Sequence, residues 1–146
     1  MSPDPRFPRD VVDLPKPRPE PTPTSAPFWS ALDDDQVRLQ RCDACGAWVH
    51  YPRARCPRCL SDRLAWNEVS GHGSVLTFTV ARQPTARSFS DEVPQLLAVV
   101  ELDEGVRMTT NVVDCPNDEL AIGMRLEVTF EQLSEQVALP KFRPAG

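Results

Sequence analysis

From Leu64 onward, β-branched and aromatic residues recur in short runs separated by glycine or polar turns. That spacing predicts strands at 64–70, 74–81, 96–102, 106–113, 125–131 and 137–142. Alternation is imperfect at Val75, Phe78 and Val80, yet the residue types are those of a pleated, half-buried surface. Gly71-His72-Gly73 lies between the first two runs, where a bulge or sharp bend lets one long strand serve both sides of a small barrel. Glu104-Gly105 predicts a hairpin turn, and 117–121 predicts one helical turn before Gly123. The longest connection, 83–93, is polar and follows Arg82. It carries Arg87 and Phe89 and is the natural place for recognition.

The first 63 residues follow another pattern. Nine of the sixteen prolines fall in 1–27, and steps such as Pro15-Lys16-Pro17-Arg18-Pro19 favour an extended path over helix or sheet. Residues 1–24 therefore read as a flexible arm. Ser25 is a candidate cap for a short helix with Pro27 in its first turn and Phe28, Trp29 and Leu32 on its apolar face. Asp33, Asp34 and Asp35 oppose the helix dipole and end it. Val37 to Gln40 predict an extended rung, and Trp48 to Pro52 a small hairpin strand. The expected fold is mainly β: a small N-terminal helix and four-cysteine ribbon over 25–63, then an OB-type barrel over 64–146, with a short sandwich as the alternative.

The strongest local signal is Cys42-Asp43-Ala44-Cys45-Gly46, then Cys56-Pro57-Arg58-Cys59. Two C-x2-C pairs ten residues apart form two knuckles that aim four thiolates at one point. Zinc suits an all-sulfur site without redox work; mononuclear iron also fits the ligands, and two disulfides are the metal-free alternative. Four cysteines leave no open coordination position, so the expected metal is structural. His50, a potential fifth ligand, reads as packing or polar surface. Cys115 stands alone beside Pro116 and reads as a small, partly buried side chain.

Charge is uneven within a net of −5. Residues 38–63 carry six arginines against Asp43 and Asp62, a net of +4, whereas 64–146 carry a net of −6. A basic ribbon on an acidic body points to a local anionic ligand or an acidic partner surface. It argues against a general nucleic-acid binder, although a zinc ribbon with an OB barrel keeps single-strand binding as an alternative. No phosphate loop, dinucleotide fingerprint, H-E-x-x-H or G-x-S-x-G motif appears, and His72 has no nucleophile beside it in sequence. Independent catalysis is not expected. No apolar run approaches ~20 residues, so a cytoplasmic protein with reduced, metal-bound cysteines is expected.

Phe28-Trp29-Ser30-Ala31-Leu32, Leu39-Gln40-Arg41-Cys42 and Tyr51-Pro52-Arg53 with both knuckles resemble the rubredoxin-like zinc ribbon of the DUF35 family. Val69-Ser70-Gly71-His72-Gly73-Ser74-Val75, Val99 to Gly105 and Leu139-Pro140-Lys141-Phe142-Arg143-Pro144 are similar to its OB half. Leu60 departs from the pattern, since the family usually has glycine after the last cysteine. The resemblance implies a non-catalytic accessory subunit of enzymes acting on acyl-CoA thioesters. The implied partner is a thiolase-like subunit, a retro-aldolase or thiolase, in steroid side-chain degradation. A heterotetramer with two copies of each chain would follow, with acyl-CoA at or near the interface. A MaoC-type enoyl-CoA hydratase is the alternative partner. In that setting Arg53, Arg55 and Arg58 are candidate contacts to CoA phosphates, because guanidinium makes forked, charge-assisted bonds to phosphate.

Overall fold

The computed structural model describes residues 17–84, 86–135 and 137–146. The greater part of the expected proline arm, 1–16, lies outside them. Helix α1 (Ala26–Asp33) buries Phe28, Ala31 and Leu32. Ser25 occupies the N-cap position, but its hydroxyl serves the preceding turn instead, accepting from the Thr22 N–H at 2.9 Å. After α1, Asp35 turns the chain with φ +56.

Strand β1 (Val37–Cys42) is the centre of a three-stranded antiparallel sheet, flanked by β2 (Trp48–Val49) and β3 (Leu64–Val69). β2 is shorter than the expected 48–52 strand. Beyond it the side chain of Gln40, buried in β1, takes the place of a strand partner. Its Nε2 donates to the Arg53 carbonyl at 2.9 Å and its Oε1 accepts from the Arg53 N–H at 2.8 Å.

The run 64–70, expected to open the barrel, lies in this sheet instead. It pairs along the whole of β1, from Val37 opposite Val69 to Cys42 opposite Leu64. The glycine bend accordingly joins two sheets rather than two sides of one barrel. Gly71 has φ +74, and a Cβ there would meet Val128 Cγ1 at 2.5 Å; one at Gly73 would meet the Glu101 carbonyl oxygen at 2.5 Å. Close backbone approach leaves no room for a side chain at either.

The barrel comprises β4 (His72–Ala81), β5 (Gln95–Leu102), β6 (Arg107–Val112), β7 (Arg125–Gln132) and β8 (Ala138–Pro144). It closes in the order β4-β5-β6-β8-β7, with β7 returning to β4. Neighbours are antiparallel except β6 and β8, which meet in parallel at Val112 and Phe142. This is the five-stranded OB arrangement. The hairpin at Gly105 (φ +95) forms as expected. Residues 117–119 make a turn rather than a helical turn, and Arg87–Glu92 form a short 3-10 helix inside the long connection.

Strict alternation in β5 sends Leu96, Ala98, Val100 and Leu102 inward, where they meet Val75, Leu126 and Phe142. Phe28, Leu32, Val37, Leu39 and Val69 join the same apolar cluster. Helix, ribbon sheet and barrel thus share one core, and burial fixes the ribbon against the barrel wall. Among the described residues, no helix is long and apolar enough to cross a membrane.

Candidate metal centre

The first knuckle follows β1. Gly46 has φ +77, and its N–H reaches the Cys42 carbonyl at 2.8 Å, folding Cys45 back toward Cys42. The second knuckle repeats the bond: the Leu60 N–H donates to the Cys56 carbonyl at 2.8 Å. The sulfurs of Cys42, Cys45, Cys56 and Cys59 all lie within 4.8 Å of one another. Cys42 and Cys59 are 3.5 Å apart, and Cys45 and Cys56 3.7 Å. Tetrahedral zinc at its usual bond length holds sulfurs about 3.8 Å apart, so the donor set fits the ion. All four cysteines are free, not disulfide-bonded. Among the described residues they are the one group of three or more His, Cys, Asp or Glu side chains placed to hold a metal.

Backbone dipoles prepare the thiolates. The Cys45 N–H, foremost, brings the Cys42 thiol down to about 7. The Cys59 N–H, then that of Arg58, lowers Cys56. At Cys59 the Ser61 N–H pulls downward, but the adjacent Cys42 sulfur and desolvation outweigh it and hold the thiol at about 11. Gathered without a cation, four sulfurs resist joint ionisation, and a divalent ion removes that conflict. The four cysteines form a structural zinc site of the rubredoxin-like ribbon type.

His50 is no part of it. Its ring packs 4.4 Å from Tyr51 and 5.6 Å from Phe28, and its Nδ1 is buried without a hydrogen-bond partner. Desolvation lowers its pKa to about 4. His50 and Tyr51 instead line a cleft of about 590 Å3 between the ribbon and the barrel, together with Phe28, Trp29, Leu139 and Lys141.

None of Arg53, Arg55 and Arg58 lines this cleft. Arg53 follows its wall residue Pro52, and Arg55 Nη1 turns back to the Leu60 carbonyl at 3.3 Å. The cation inside is Lys141, paired with Glu131. In the sequence Lys141 stood out only as a member of the closing run 139–144. Its partnership with Phe28 and His50 needs three distant segments to meet.

Residues 29–65 match the ChsH2 rubredoxin-like zinc ribbon domain and 66–131 the ChsH2 C-terminal OB-fold domain. A DUF35 domain-containing scaffold protein of Methanocaldococcus jannaschii is 36% identical over 65% of this chain and 67% of its own. This chain belongs to the DUF35 family. A chain in the solved structure titled Ltp2-ChsH2(DUF35) aldolase superposes with a TM-score of 0.77 at 34% identity, covering 88% of this chain and 100% of that one. A probable enoyl-CoA hydratase alpha subunit of Thermomonospora curvata is 35% identical over 89% of this chain, which spans 40% of that protein's length.

Within this DUF35 chain the other candidate groups stand apart. His72 is exposed on β4. The Cys115 thiol donates to the Pro116 carbonyl at 3.4 Å and is raised by desolvation, then by Glu119 and Asp118. Arg82 and Arg87 line neither of the two larger cavities, whereas Phe89 borders one of about 340 Å3 at the barrel mouth.

Proposed function

We propose that this chain is a non-catalytic accessory subunit of a thiolase-fold retro-aldolase or thiolase acting on acyl-CoA thioesters. The observation that carries the reading is the match of 88% of this chain to the whole of a chain in the Ltp2-ChsH2(DUF35) aldolase structure. The metal site supports it, because four thiolates saturate zinc and leave no position for a reacting water. The apolar cleft between ribbon and barrel suits an acyl-pantetheine tail, with a steroid side-chain ester as the substrate class. Arg53, beside the cleft wall, is the foremost contact for CoA phosphates, with Arg55 and Arg58 further along the ribbon. A dimeric thiolase fold would take two copies of this chain, giving a heterotetramer. A cytoplasmic setting keeps the four thiols reduced for zinc.

The second reading, partnership with a MaoC-type enoyl-CoA hydratase, is favoured by the match to the hydratase alpha subunit. Co-purification with a candidate thiolase-fold subunit and with a candidate hot-dog-fold subunit separates the two. The first reading expects a stable complex with the thiolase-fold subunit. A complex with the hydratase alone reverses the assignment. Retention on single-stranded oligonucleotide at physiological salt would contradict both.

A further inference from the structure

His50 brings to the cleft a polar group that the chain itself does not satisfy. Its ring packs against both Phe28 and Tyr51. Nδ1 is sealed from solvent and, among the described residues, has no hydrogen-bond partner. Nε2 is not sealed, and it too bonds to no described group. The open space that His50 borders is the cleft of about 590 Å3.

Chemistry then decides which nitrogen holds the proton. Burial lowers the pKa to about 4, so at pH 7 the ring is neutral and has one proton for two nitrogens. On Nδ1 that proton would make a donor sealed away from every acceptor, the costlier kind of orphan. On Nε2 it leaves only a lone pair in the sealed position and offers an N–H to the cleft. The barrel supplies a second group of this kind. Asn111, on β6, borders the same cleft, and its carboxamide has no partner among the described residues. Thr110 beside it is satisfied by the Asn111 and Pro140 carbonyls, at 3.2 and 3.5 Å. Lys141 is already paired with Glu131, and Glu20 borders the cleft with a negative charge of its own. Aromatic and aliphatic walls carrying neutral hydrogen-bonding groups suit a chain of apolar stretches and amides better than a carboxylate or a phosphate.

We infer that His50 is a specificity-determining residue of the cleft: its Nε2–H donates to a carbonyl oxygen of the pantetheine arm of an acyl-CoA, and Asn111 takes that arm's other amide. This deepens the function proposed above and rests on it for the ligand's identity. A pantetheine arm carries two amides separated by methylenes, so the pair distinguishes a CoA thioester from a plain alkyl thioester.

The test uses the zinc-loaded full-length chain with its two histidines, His50 and His72, labelled with nitrogen-15. At pH 7 the His50 signals should be those of a neutral Nε2–H ring. S-butyryl pantetheine should move them and leave those of exposed His72 in place. By calorimetry, His50→Phe should bind S-butyryl pantetheine about tenfold more weakly, the loss that one unmatched hydrogen bond produces. His50→Gln, which restores a donor, should recover most of that affinity. An analogue with CH2–CH2 in place of each amide should bind wild type and His50→Phe alike. A proton on Nδ1, equal pantetheine affinity in wild type and His50→Phe, or no recovery in a folded His50→Gln overturns the inference. So does an equal loss for the amide-free analogue, which would make His50 a packing residue, or no pantetheine binding by wild type. The functional reading fails separately. A complex with the thiolase-fold subunit that turns over CoA esters equally well with His50→Phe keeps that reading and removes His50 from it. His50-dependent binding by a chain that forms no such complex keeps the site and removes the reading.

Discussion

Single side chains decide how the ribbon sits on the barrel. Gln40 satisfies both backbone groups of Arg53, so Gln40→Ala leaves a donor and an acceptor in a partly buried setting without partners. Such a loss costs on the order of 1–3 kcal/mol, read as a lower urea midpoint. His50 makes a pH-dependent contribution. Its folded pKa, about 4, lies below the ordinary 6.5 because burial disfavours the charged ring. The associated stability is therefore complete above pH 6.5 and is lost as pH falls toward 4. Its size is about 2 kcal/mol, less than the full shift implies because part of the ring meets water. Protonation of the cysteines releases zinc over an overlapping range, so the diagnostic quantity is the difference between wild type and His50→Phe. The variant should lose less stability than wild type between pH 6.5 and 4. Parallel curves would remove His50 from the account.

At the scale of elements, the knuckles depend on metal and the barrel on apolar burial. Cys56→Ser should lower bound zinc from one per chain and expose the ribbon backbone to hydrogen exchange, while amides of β5 and β6 stay protected. Phe142 is fully buried where β6 and β8 meet, so Phe142→Ala should cost about 3–5 kcal/mol by denaturant unfolding. These elements were legible in the sequence to different degrees. The cysteine spacing carried its own geometry, because two residues between ligands allow only a tight knuckle. Alternation carried the faces of β5. The sheet to which 64–69 belongs was hidden, since a strand's pattern shows which face is apolar but not which neighbour covers it. Gly71 and Gly73 signalled a bend without saying that it joined two sheets.

Across the whole molecule, one continuous core ties α1, the ribbon sheet and the barrel together, and the cleft forms where the three meet. That cleft was invisible in the sequence because Phe28, His50 and Lys141 converge only after folding. The basic ribbon and acidic barrel, visible as charge runs, became exposed ribbon arginines and a barrel on which Glu101, Asp103, Glu127 and Glu131 pair with cations of the same barrel. Chemistry from a partner and placement from this chain together make a claim about division of labour. The most direct test is turnover of a steroid side-chain CoA ester by the purified chain, by the thiolase-fold subunit, and by the two mixed at equal concentration. The account predicts no turnover by this chain alone and a rate for the mixture well above that of the thiolase-fold subunit alone. Turnover by the isolated, zinc-loaded chain, or a thiolase-fold subunit fully active without it, would contradict the account.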